Sequence, residues 1–358
     1  MTVTGTQSRS LRALVRAISQ HLAEGNYPVT DMSRATSLEL DPTISLGATG
    51  SDRPGGEIRR LEGPVIEARP VERDPGPSPI RYFLDGSQKT LPVWRVGTVP
   101  VIASVSAAAV LKRTSPTDIG ICEDTLVTRL HWIVPRHTRN ATLDRIVDLL
   151  EEMGESVTDP FENEYEQDPD NYQRLVSAYT HCLEKAYDTA SSMRAQVELN
   201  LLRLWEQMIS PGDRDGWIVI DGLLDADIPN AIGLVKNAQV QHLHGQEAIA
   251  LYDLPVGYRT SAYALVDRGD RQQWDRAMWY LRMQNATGQD ARHGLVRLES
   301  PAIVGDLDLV DRISSWILAE RAPRASSDSR WATLLYPIHL LERMLKRRIQ
   351  AVTAGWPA

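Results

Sequence analysis

The stretch that decides the fold is residues 81–113, RYFLDGSQKTLPVWRVGTVPVIASVSAAAVLKR. It is dense in β-branched and aromatic side chains, which favour strands over helices. Turn-forming residues interrupt it at Gly86, Pro92, Gly97 and Pro100. These breaks predict a meander of short strands. The first strand ends in the dipeptide Asp85-Gly86, and Asp-Gly is a common turn signal.

The rest of the chain alternates between helical and strand-like patterns. Apolar spacing predicts a helix over residues 142–154, and residues 171–208, which lack glycine and proline, predict one long helix or two abutting ones. Residues 123–135 suit either another strand or the start of a helix. Further strand candidates are 217–222, 231–237, 260–267, 278–284 and 293–300, and two helices are predicted at 306–321 and 329–351. A meander, a long helix and then more strands predict a mixed α/β fold with helices packed on the sheet.

Composition limits the class of protein. The 358 residues are 42% hydrophobic and 24% charged, and no apolar run approaches the length of a membrane span. The two cysteines form no CxxC pair, which argues against a disulfide framework or a structural zinc site. A soluble, cytoplasmic protein with no membrane partner is predicted. The net charge of −8 argues against bulk attraction to nucleic acid but permits an enzyme with a local basic groove.

The first 80 residues differ from the remainder. An amphipathic helix is predicted near the N-terminus, and residues 27–80 are rich in proline, glycine, serine and charge. Such composition predicts extended or poorly ordered chain with little contribution to the core. The fragment GPVIEARPV, residues 63–71, is a candidate for one short edge strand. We therefore divide the chain into an N-terminal segment, 1–80, and a main domain, 81–358.

Two aspartates occupy the same local context. Asp85 in YFLDGS and Asp221 in WIVIDGL each follow an apolar strand and precede a glycine. Ligand-binding groups in open α/β sheets gather at the carboxyl ends of strands, so we expect both acids at one edge. Adjacent carboxylates repel each other unless a cation lies between them. Oxygen ligands suit hard divalent ions, so the pair predicts a Mg²⁺ or Mn²⁺ site.

A third acid is expected from the long helix. Glu198 and Glu206 lie eight residues apart and therefore on a similar face. We favour Glu198, because its apolar neighbours Val197 and Leu199 indicate a buried stretch in which an unpaired acid is costly. The alternative is a glutamate that is salt-bridged or faces the solvent.

The order of these motifs resembles the NurA nucleases. The resemblance covers roughly residues 80–350 and consists of DGS on a first strand, R-x-x-x-E on a long helix, IDGxL and GLVKN on later strands, then WYLRM, GLVRLE and a terminal YP helix. It implies an RNase H-like mixed sheet with flanking helices, related to the nuclease domain of Argonautes. It also implies a Mn²⁺-dependent (or Mg²⁺-dependent) nuclease that cuts DNA ends as a homodimer beside a HerA-like hexameric ATPase.

The resemblance assigns roles to individual residues. Asp85, Glu198 and Asp221 would be metal ligands, and Lys236 would lie near the scissile phosphate or support the site. These residue types suit hydrolysis by two metal ions, for which bridging carboxylates are the minimum requirement. Lys236 is one of only five lysines in the chain and would supply a positive charge to the transition state.

The terminal helix departs from the family pattern. Tyr336 and the helix after it would close the pocket, but Met344 stands where the family usually has a histidine. His339 lies five residues earlier, about one and a half helical turns away, and is the candidate to replace it as ligand or general acid.

Other polar residues offer weaker candidates. His242 and His244 have a spacing that can chelate a metal from a strand, with a solvated loop as the alternative. For His131 and His137 we favour a partly buried ring or a surface phosphate contact over catalysis. Arg282 and Arg297 would contact phosphate if they face the acids, and otherwise pair with acids such as Glu299. The basic segment 341–350 suits either a DNA or partner contact or a solvated helix face.

Three functional hypotheses follow. The first is a metal-dependent DNA nuclease in end processing, repair or defence. The second is a catalytically impaired NurA-like subunit that binds DNA or the ATPase without cutting, motivated by the missing histidine. The third is a hydrolase of RNA or other phosphoesters. The sequence contains no P-loop, so work driven by nucleotide hydrolysis would require a partner.

Overall fold

A computed structural model describes the chain except for residues 1–9, 32–56, 74–75, 116–117, 123, 209–215, 225, 237–241, 267–275, 302–305, 322–330 and 357–358. The helices within the described ranges are α1 (Leu11–Glu24), α2 (Ala141–Glu152), α3 (Glu162–Gln167), α4 (Pro169–Val176), α5 (Tyr179–Met208), α6 (Gln246–Tyr252), α7 (Asp308–Glu320) and α8 (Tyr336–Val352). A short 3-10 turn, Trp331–Thr333, precedes α8.

The strands join into one mixed sheet. They are β1 (Thr30–Asp31), β2 (Ile58–Arg60), β3 (Ala68–Pro70), β4 (Ile80–Val96), β5 (Val99–Ser115), β6 (Asp118–Ile121), β7 (Val127–Ile133), β8 (Ser156–Thr158), β9 (Trp217–Asp221), β10 (Ala231–Val235), β11 (Tyr258–Thr260), β12 (Tyr263–Leu265), β13 (Arg276–Arg282) and β14 (Leu295–Pro301). The predicted mixed α/β class is confirmed.

The order of strands across the sheet is β2-β12-β13-β14-β10-β9-β4-β5-β7-β8. At its centre, β4 and β9 run parallel, and β10 runs parallel to β9. On one side of this centre β4, β5 and β7 are antiparallel neighbours, and on the other side β14 runs antiparallel to β10. The three parallel strands β4, β9 and β10 therefore lie between two antiparallel parts of the sheet.

The hairpin β4–β5 corrects the predicted meander. Each strand is 17 residues long, and the chain reverses at Gly97, whose φ of +57° suits glycine. Gly86 and Pro100 lie inside the paired strands, and Pro92 lies at an irregularity in the register between Pro92 and Trp94. A bulge tolerates proline, which cannot donate a ladder hydrogen bond. Continuous pairing with β5 thus overrides three of the four local turn signals.

Helices cover both faces of the sheet centre. Leu201, Leu202 and Trp205 of α5 pack on one face. Ile338, Leu341 and Leu345 of α8 belong to the core of the other face, which also includes residues of α7. Because side chains alternate along a strand, successive residues of β4 and β9 point toward different helices.

Most of the predicted elements are confirmed, with shifts at their ends. Residues 171–208 form parts of two abutting helices, α4 and α5, and residues 127–133 resolve as a strand. The proposed edge strand in 63–71 is β3, which pairs with β11. Helix α1 buries its apolar face against the distal end of the β4–β5 hairpin and α2. Much of residues 27–80 lies outside the described ranges.

In the part of the chain that the structure describes, every helix is too short or too polar to serve as a membrane span.

Candidate metal centre

Asp85 and Asp221 lie side by side at the sheet centre. In the parallel pair β4–β9, Leu84 is opposite Ile220, and the next residue of each strand is one of the two aspartates. Strand β9 ends at Asp221, whereas β4 continues along β5. Asp85 therefore lies in the middle of a long strand, at the point where its parallel neighbour ends. This corrects the prediction that Asp85 marks the end of its own strand.

Both aspartates point to the face that α8 covers. Phe83 and Val219, two residues before them, pack in the core with Ile338 and Leu341 of α8. The alternation of side chains then places the two carboxylates on the same face. Asp85 is 5% exposed, so its carboxylate is shielded from solvent.

Glu198 approaches the same point from the other face of the sheet. It extends from α5, which packs on the opposite face from α8. A Cβ atom at Gly86 would overlap Glu198 Oε1 and would lie 2.8 Å from Glu198 Cδ. Gly86 does not have positive φ, so space rather than backbone conformation is what its missing side chain provides. The glycine that we read as a turn former instead makes room for a third acid.

Two cations neutralise part of this charge. Lys236, 10% exposed and just beyond β10, places Nζ 2.6 Å from Asp221 Oδ2. On α5, Arg194 Nη1 pairs with Glu198 Oε1 from one turn earlier. Asp85 has no such partner: Oδ1 accepts a hydrogen bond of 2.8 Å from the Gly86 backbone N–H, and the buried Oδ2 accepts none from the described residues.

Burial and like charges raise the pKa of two of the acids. Burial is the main reason that the pKa of Asp85 lies well above its usual value. The charge of Asp221 raises it further, Lys236 opposes this, and Glu198 and Glu342 also raise it. The pKa of Glu198 is raised by burial and by Asp221, against the opposing effect of Arg194. The cluster therefore holds more negative charge than its own cations neutralise.

This pKa shift gives a prediction for the protein without metal. The folded protein keeps the Asp85 proton to higher pH than the unfolded chain does. Protonated Asp85 therefore contributes to the free energy of unfolding. This contribution is complete below the usual pKa of 3.8 and is lost as pH rises through the raised pKa. We expect Asp85→Asn, which cannot ionise, to raise the melting temperature by about 1–2 °C for each kcal/mol of unfolding free energy that it restores. In thermal melts in chelator from about pH 4 to 8, the difference in melting temperature between Asp85→Asn and the unaltered chain should widen as pH rises. A difference that stays constant over this range would contradict the burial of an ionised carboxylate.

A fourth acid, Glu342, acts electrostatically on Asp85 and was missed from the sequence. Its charge acts on Asp85, and its side chain is 9% exposed on α8. The signal was present: Glu342 follows Ile338 by four residues and precedes Leu345 by three, which places it on the buried stripe of the helix. Segment 341–350 is thus only partly a solvated face. Arg343, Lys346 and Arg347 are exposed, whereas Glu342 is buried.

The remaining residues of the terminal helix are placed less favourably. Tyr336 begins α8 and is 58% exposed, so it does not cover a buried pocket in this state. Met344 is partly buried against the core. His339 is partly buried one turn before Glu342, and its Nδ1 is buried without a hydrogen-bond partner in the described structure. No contact connects it to the acids among the side-chain hydrogen bonds and ion pairs of the described residues.

The candidate arginines have structural roles. Arg282 donates hydrogen bonds to backbone carbonyls, namely those of Leu254, Tyr252, Ala291 and His293. Arg297 pairs with Glu299 at 2.9 Å, and Arg276 contacts the same carboxylate at 2.7 Å. The second of our two alternatives for Arg297, pairing with an acid, therefore holds, and neither Arg282 nor Arg297 is available to phosphate.

A separate cluster of His137, Asp159 and Glu162 has ligand atoms that all lie within 4.8 Å of one another. Its central carboxylate is committed to the protein. Asp159 Oδ2 accepts hydrogen bonds from Arg136 N at 2.7 Å and from Tyr172 Oη at 2.8 Å. Asp159 Oδ1 accepts one from Phe161 N at 2.8 Å. The His137 ring stacks on Tyr165 with centroids 3.7 Å apart. These contacts describe a satisfied structural network.

In contrast, the four acids do not bring three oxygens within 4.8 Å of one another in the described chain. Lys236 and Arg194 each pair with one carboxylate oxygen, Asp221 Oδ2 and Glu198 Oε1. The chemistry of the donors nevertheless fits a hard divalent ion, since all four are carboxylates and Asp85 Oδ2 is buried and unpaired. Gly86 leaves the space through which Glu198 joins them.

Comparison with models of known protein families gave no match. A search of curated proteins likewise found no similar sequence. The resemblance to NurA proteins therefore depends on the motifs and their order alone.

Proposed function

We propose that the protein is a metal-dependent deoxyribonuclease of the NurA type. The observation that carries this proposal is the cluster of Asp85, Asp221 and Glu198, in which a buried Asp85 oxygen has no partner. A protein gains nothing in stability from such a group, because burying an uncompensated carboxylate is costly. Buried, strongly shifted acids of this kind are typical of functional sites.

The sheet supports an RNase H-like assignment. Such sheets have three antiparallel strands beside two further parallel strands, with the acids on the first strand and its parallel neighbour. The central order β7-β5-β4-β9-β10 has this pattern, since β4, β5 and β7 are antiparallel and β9 and β10 run parallel to β4. The additional strands from β11 to β14 extend the sheet beyond this core.

Each residue of the cluster would contribute in a different way. Asp85, Asp221 and Glu198 would hold the divalent ions, whose charge activates water and stabilises the leaving oxygen in phosphodiester hydrolysis. Lys236 lies at the same edge and can offer its ammonium to phosphate oxygens as negative charge develops there. Arg194 can do the same with a guanidinium fork that suits phosphate. Both cations already pair with the acids and need no long movement.

A second candidate function is a subunit that binds DNA, or a HerA-like ATPase, without cutting. The wide spacing of the acid oxygens and the presence of Met344 favour this alternative. Its distinguishing feature is the absence of turnover with the site intact. The HerA-like partner and the homodimer remain expectations from the resemblance, and the absence of a P-loop in the sequence makes an ATPase partner necessary for any translocation.

Cleavage assays on matched variants test the nuclease proposal. The purified chain should degrade linear DNA with Mn²⁺ or Mg²⁺ and remain inactive in chelator. Glu198→Gln should lower the rate by about a hundredfold or more, because one ligand is lost. Glu206→Gln, the same change on an exposed acid two turns along α5, should leave the rate within about twofold.

Circular duplex, single-stranded DNA and RNA complete the assay. Cleavage of linear but not circular duplex supports action at ends, and cleavage of RNA alone favours the general phosphoesterase hypothesis. No cleavage of any substrate, with or without a HerA-like ATPase, would overturn the nuclease proposal in favour of the binding subunit.

A further inference from the structure

The loop that follows Asp221 folds back across the sheet. Gly222 continues the strand pairing, since its N–H donates to the carbonyl of Leu234 at 3.0 Å. The chain then turns over β10, and Leu224 is fully buried on the face that α5 covers. A Cβ atom on Gly233 of β10 would lie 3.1 Å from the Gly222 carbonyl oxygen and 3.1 Å from the Leu224 nitrogen. The loop therefore lies directly on Gly233.

One buried ion pair holds both backbone polar groups of Leu224. Its N–H donates to Glu299 Oε2 of β14 at 3.2 Å, and its carbonyl accepts a hydrogen bond from Arg276 Nη1 of β13. Arg276 Nη1 also lies 2.7 Å from Glu299 Oε2, and Arg297 Nη2 lies 2.9 Å from Glu299 Oε1. Glu299 is fully buried, and hydrogen bonds that involve an ionised group are stronger than neutral ones. The far end of the loop is thus fixed to β13 and β14.

We infer that Glu299 and Arg276 are positioning residues for Asp221, an inference that rests on the proposed function. Glu299 lies opposite Gly233 in the register of β14 and β10, so the ion pair and the loop share one face of the sheet. Leu224 is only three residues after Asp221, so a shift of this anchor moves the backbone that directs the Asp221 carboxylate. Groups that orient a metal ligand typically change metal affinity by about ten- to a hundredfold.

Gly233→Ala tests the placement of the loop while the ion pair stays intact. Gly233 does not have positive φ, so alanine fits its backbone, but the new methyl group would press on the peptide that follows Asp221. The loop must then move by a few tenths of an ångström. In titration calorimetry with Mn²⁺ alone, we expect Gly233→Ala to bind the ion about tenfold or more weakly. Gly120→Ala, whose methyl group meets no atom within 4 Å, should bind it within about twofold of the unaltered chain.

Glu299→Gln tests the ion pair itself. Glutamine can still accept the Leu224 N–H, but it removes the charge that Arg276 and Arg297 share, so the fold should lose stability. We expect Mn²⁺ affinity to fall about tenfold or more. If Glu299→Gln does not fold, Arg276→Lys takes its place, because a lysine ammonium on a flexible stem does not hold the carboxylate and the Leu224 carbonyl in one fixed geometry.

Glu62→Gln is the matched control for stability. Glu62 is also buried, pairs with Arg259 at 2.7 Å and accepts the backbone N–H of Ala262, in a part of the sheet that does not contact the Asp221 loop. This variant should lower the melting temperature as Glu299→Gln does, but it should bind Mn²⁺ within about twofold of the unaltered chain. If Glu62→Gln weakens Mn²⁺ binding as much as Glu299→Gln does, the loss reflects general stability and the inference is wrong.

The Mn²⁺ dependence of cleavage separates positioning from a loss of folded protein. It is measured at a temperature at which melting curves show every variant to be folded. Glu299→Gln should raise the Mn²⁺ concentration for half-maximal cleavage about tenfold, and excess Mn²⁺ should restore most of the rate. A lower rate at every Mn²⁺ concentration, with no change in the half-maximal concentration, would contradict a positioning role.

The failure of this inference differs from failure of the proposed function. If the unaltered chain binds Mn²⁺ and Asp221→Asn weakens that binding, but Gly233→Ala or Glu299→Gln binds as tightly as the unaltered chain, only the positioning role is overturned. If the unaltered chain binds no Mn²⁺ at the acids at all, the metal site and the positioning role are overturned together.

Discussion

Replacing Asp85 or Asp221 by asparagine is expected to lower Mn²⁺-dependent DNA cleavage about a thousandfold. Metal ions contribute several kcal/mol to such reactions, and each ~1.4 kcal/mol corresponds to a factor of ten in rate. Asparagine keeps the shape of the side chain but removes the charge that holds the ion. Initial rates on end-labelled linear DNA at saturating Mn²⁺ measure the effect.

The two variants should differ in stability although they share the loss of activity. Asp85→Asn relieves a buried carboxylate whose Oδ2 has no partner, so the protein without metal should become more stable. Asp221→Asn instead leaves Lys236, which is largely buried, without its charged partner and should destabilise the fold. Opposite shifts in melting temperature with equal loss of cleavage would separate catalysis from folding.

Asp253→Asn is the control for this pair, since it makes the same chemical change at an exposed aspartate after α6. It should leave cleavage and melting temperature nearly unchanged. If Asp85→Asn or Asp221→Asn retains more than about a tenth of the original rate, the assigned acids are not the metal ligands.

Gly86→Ala is expected to reduce cleavage about a hundredfold with little change in stability. The new methyl group would overlap the carboxylate end of Glu198, a flexible side chain that can move away at low cost. Displacing a catalytic group by about 1 Å can lower a rate a hundredfold. Cleavage rates and thermal melts of the same preparation measure the two effects separately.

Two further variants make the Gly86 prediction specific. Gly120→Ala places a methyl on β6, where no atom lies within 4 Å of it, and should leave the rate unchanged. The variant that combines Gly86→Ala with Glu198→Gln should cleave DNA no more slowly than Glu198→Gln alone. Gly86→Ala acts by displacing the Glu198 carboxylate, and Glu198→Gln has already removed that carboxylate. Additive losses in the double variant would mean that Gly86 serves the site in some other way.

Regular apolar patterns made most of the fold predictable from sequence. Strands such as Trp217–Asp221 and Ala231–Val235 are continuous apolar runs, as expected for strands buried on both faces. Helix α2 shows helical spacing and ends close to Gly154. The local turn signals at Gly86, Pro92 and Pro100 were misleading because pairing with β5 and burial outweigh them.

The candidate site was predictable only where neighbouring strands determine it. Asp85 and Asp221 could be brought together from their matching positions, because β4 and β9 are parallel neighbours and each aspartate follows one of two paired residues, Leu84 and Ile220. The reach of Glu198 across the sheet depends on the space at Gly86, which only the three-dimensional packing reveals. The apolar stripe of α8 indicated the burial of Glu342, but not that its charge acts on Asp85.

The arginines show the limit of motif order. Arg282 and Arg297 follow apolar strand residues, as phosphate-binding arginines often do, yet their guanidinium groups are occupied by backbone carbonyls and by Glu299. Sequence spacing gives the position of a side chain along a strand. It does not give its partners, which come from segments such as α6 and the loop after β13.

The most direct test of the central claim is the position of Mn²⁺ in crystals of the protein soaked with the ion, read from its anomalous scattering. We expect an anomalous peak within coordination distance of Asp85 Oδ2, between the carboxylates of Asp221 and Glu198. A peak only at His137, Asp159 and Glu162, or no peak beside Asp85 at saturating Mn²⁺, would contradict it.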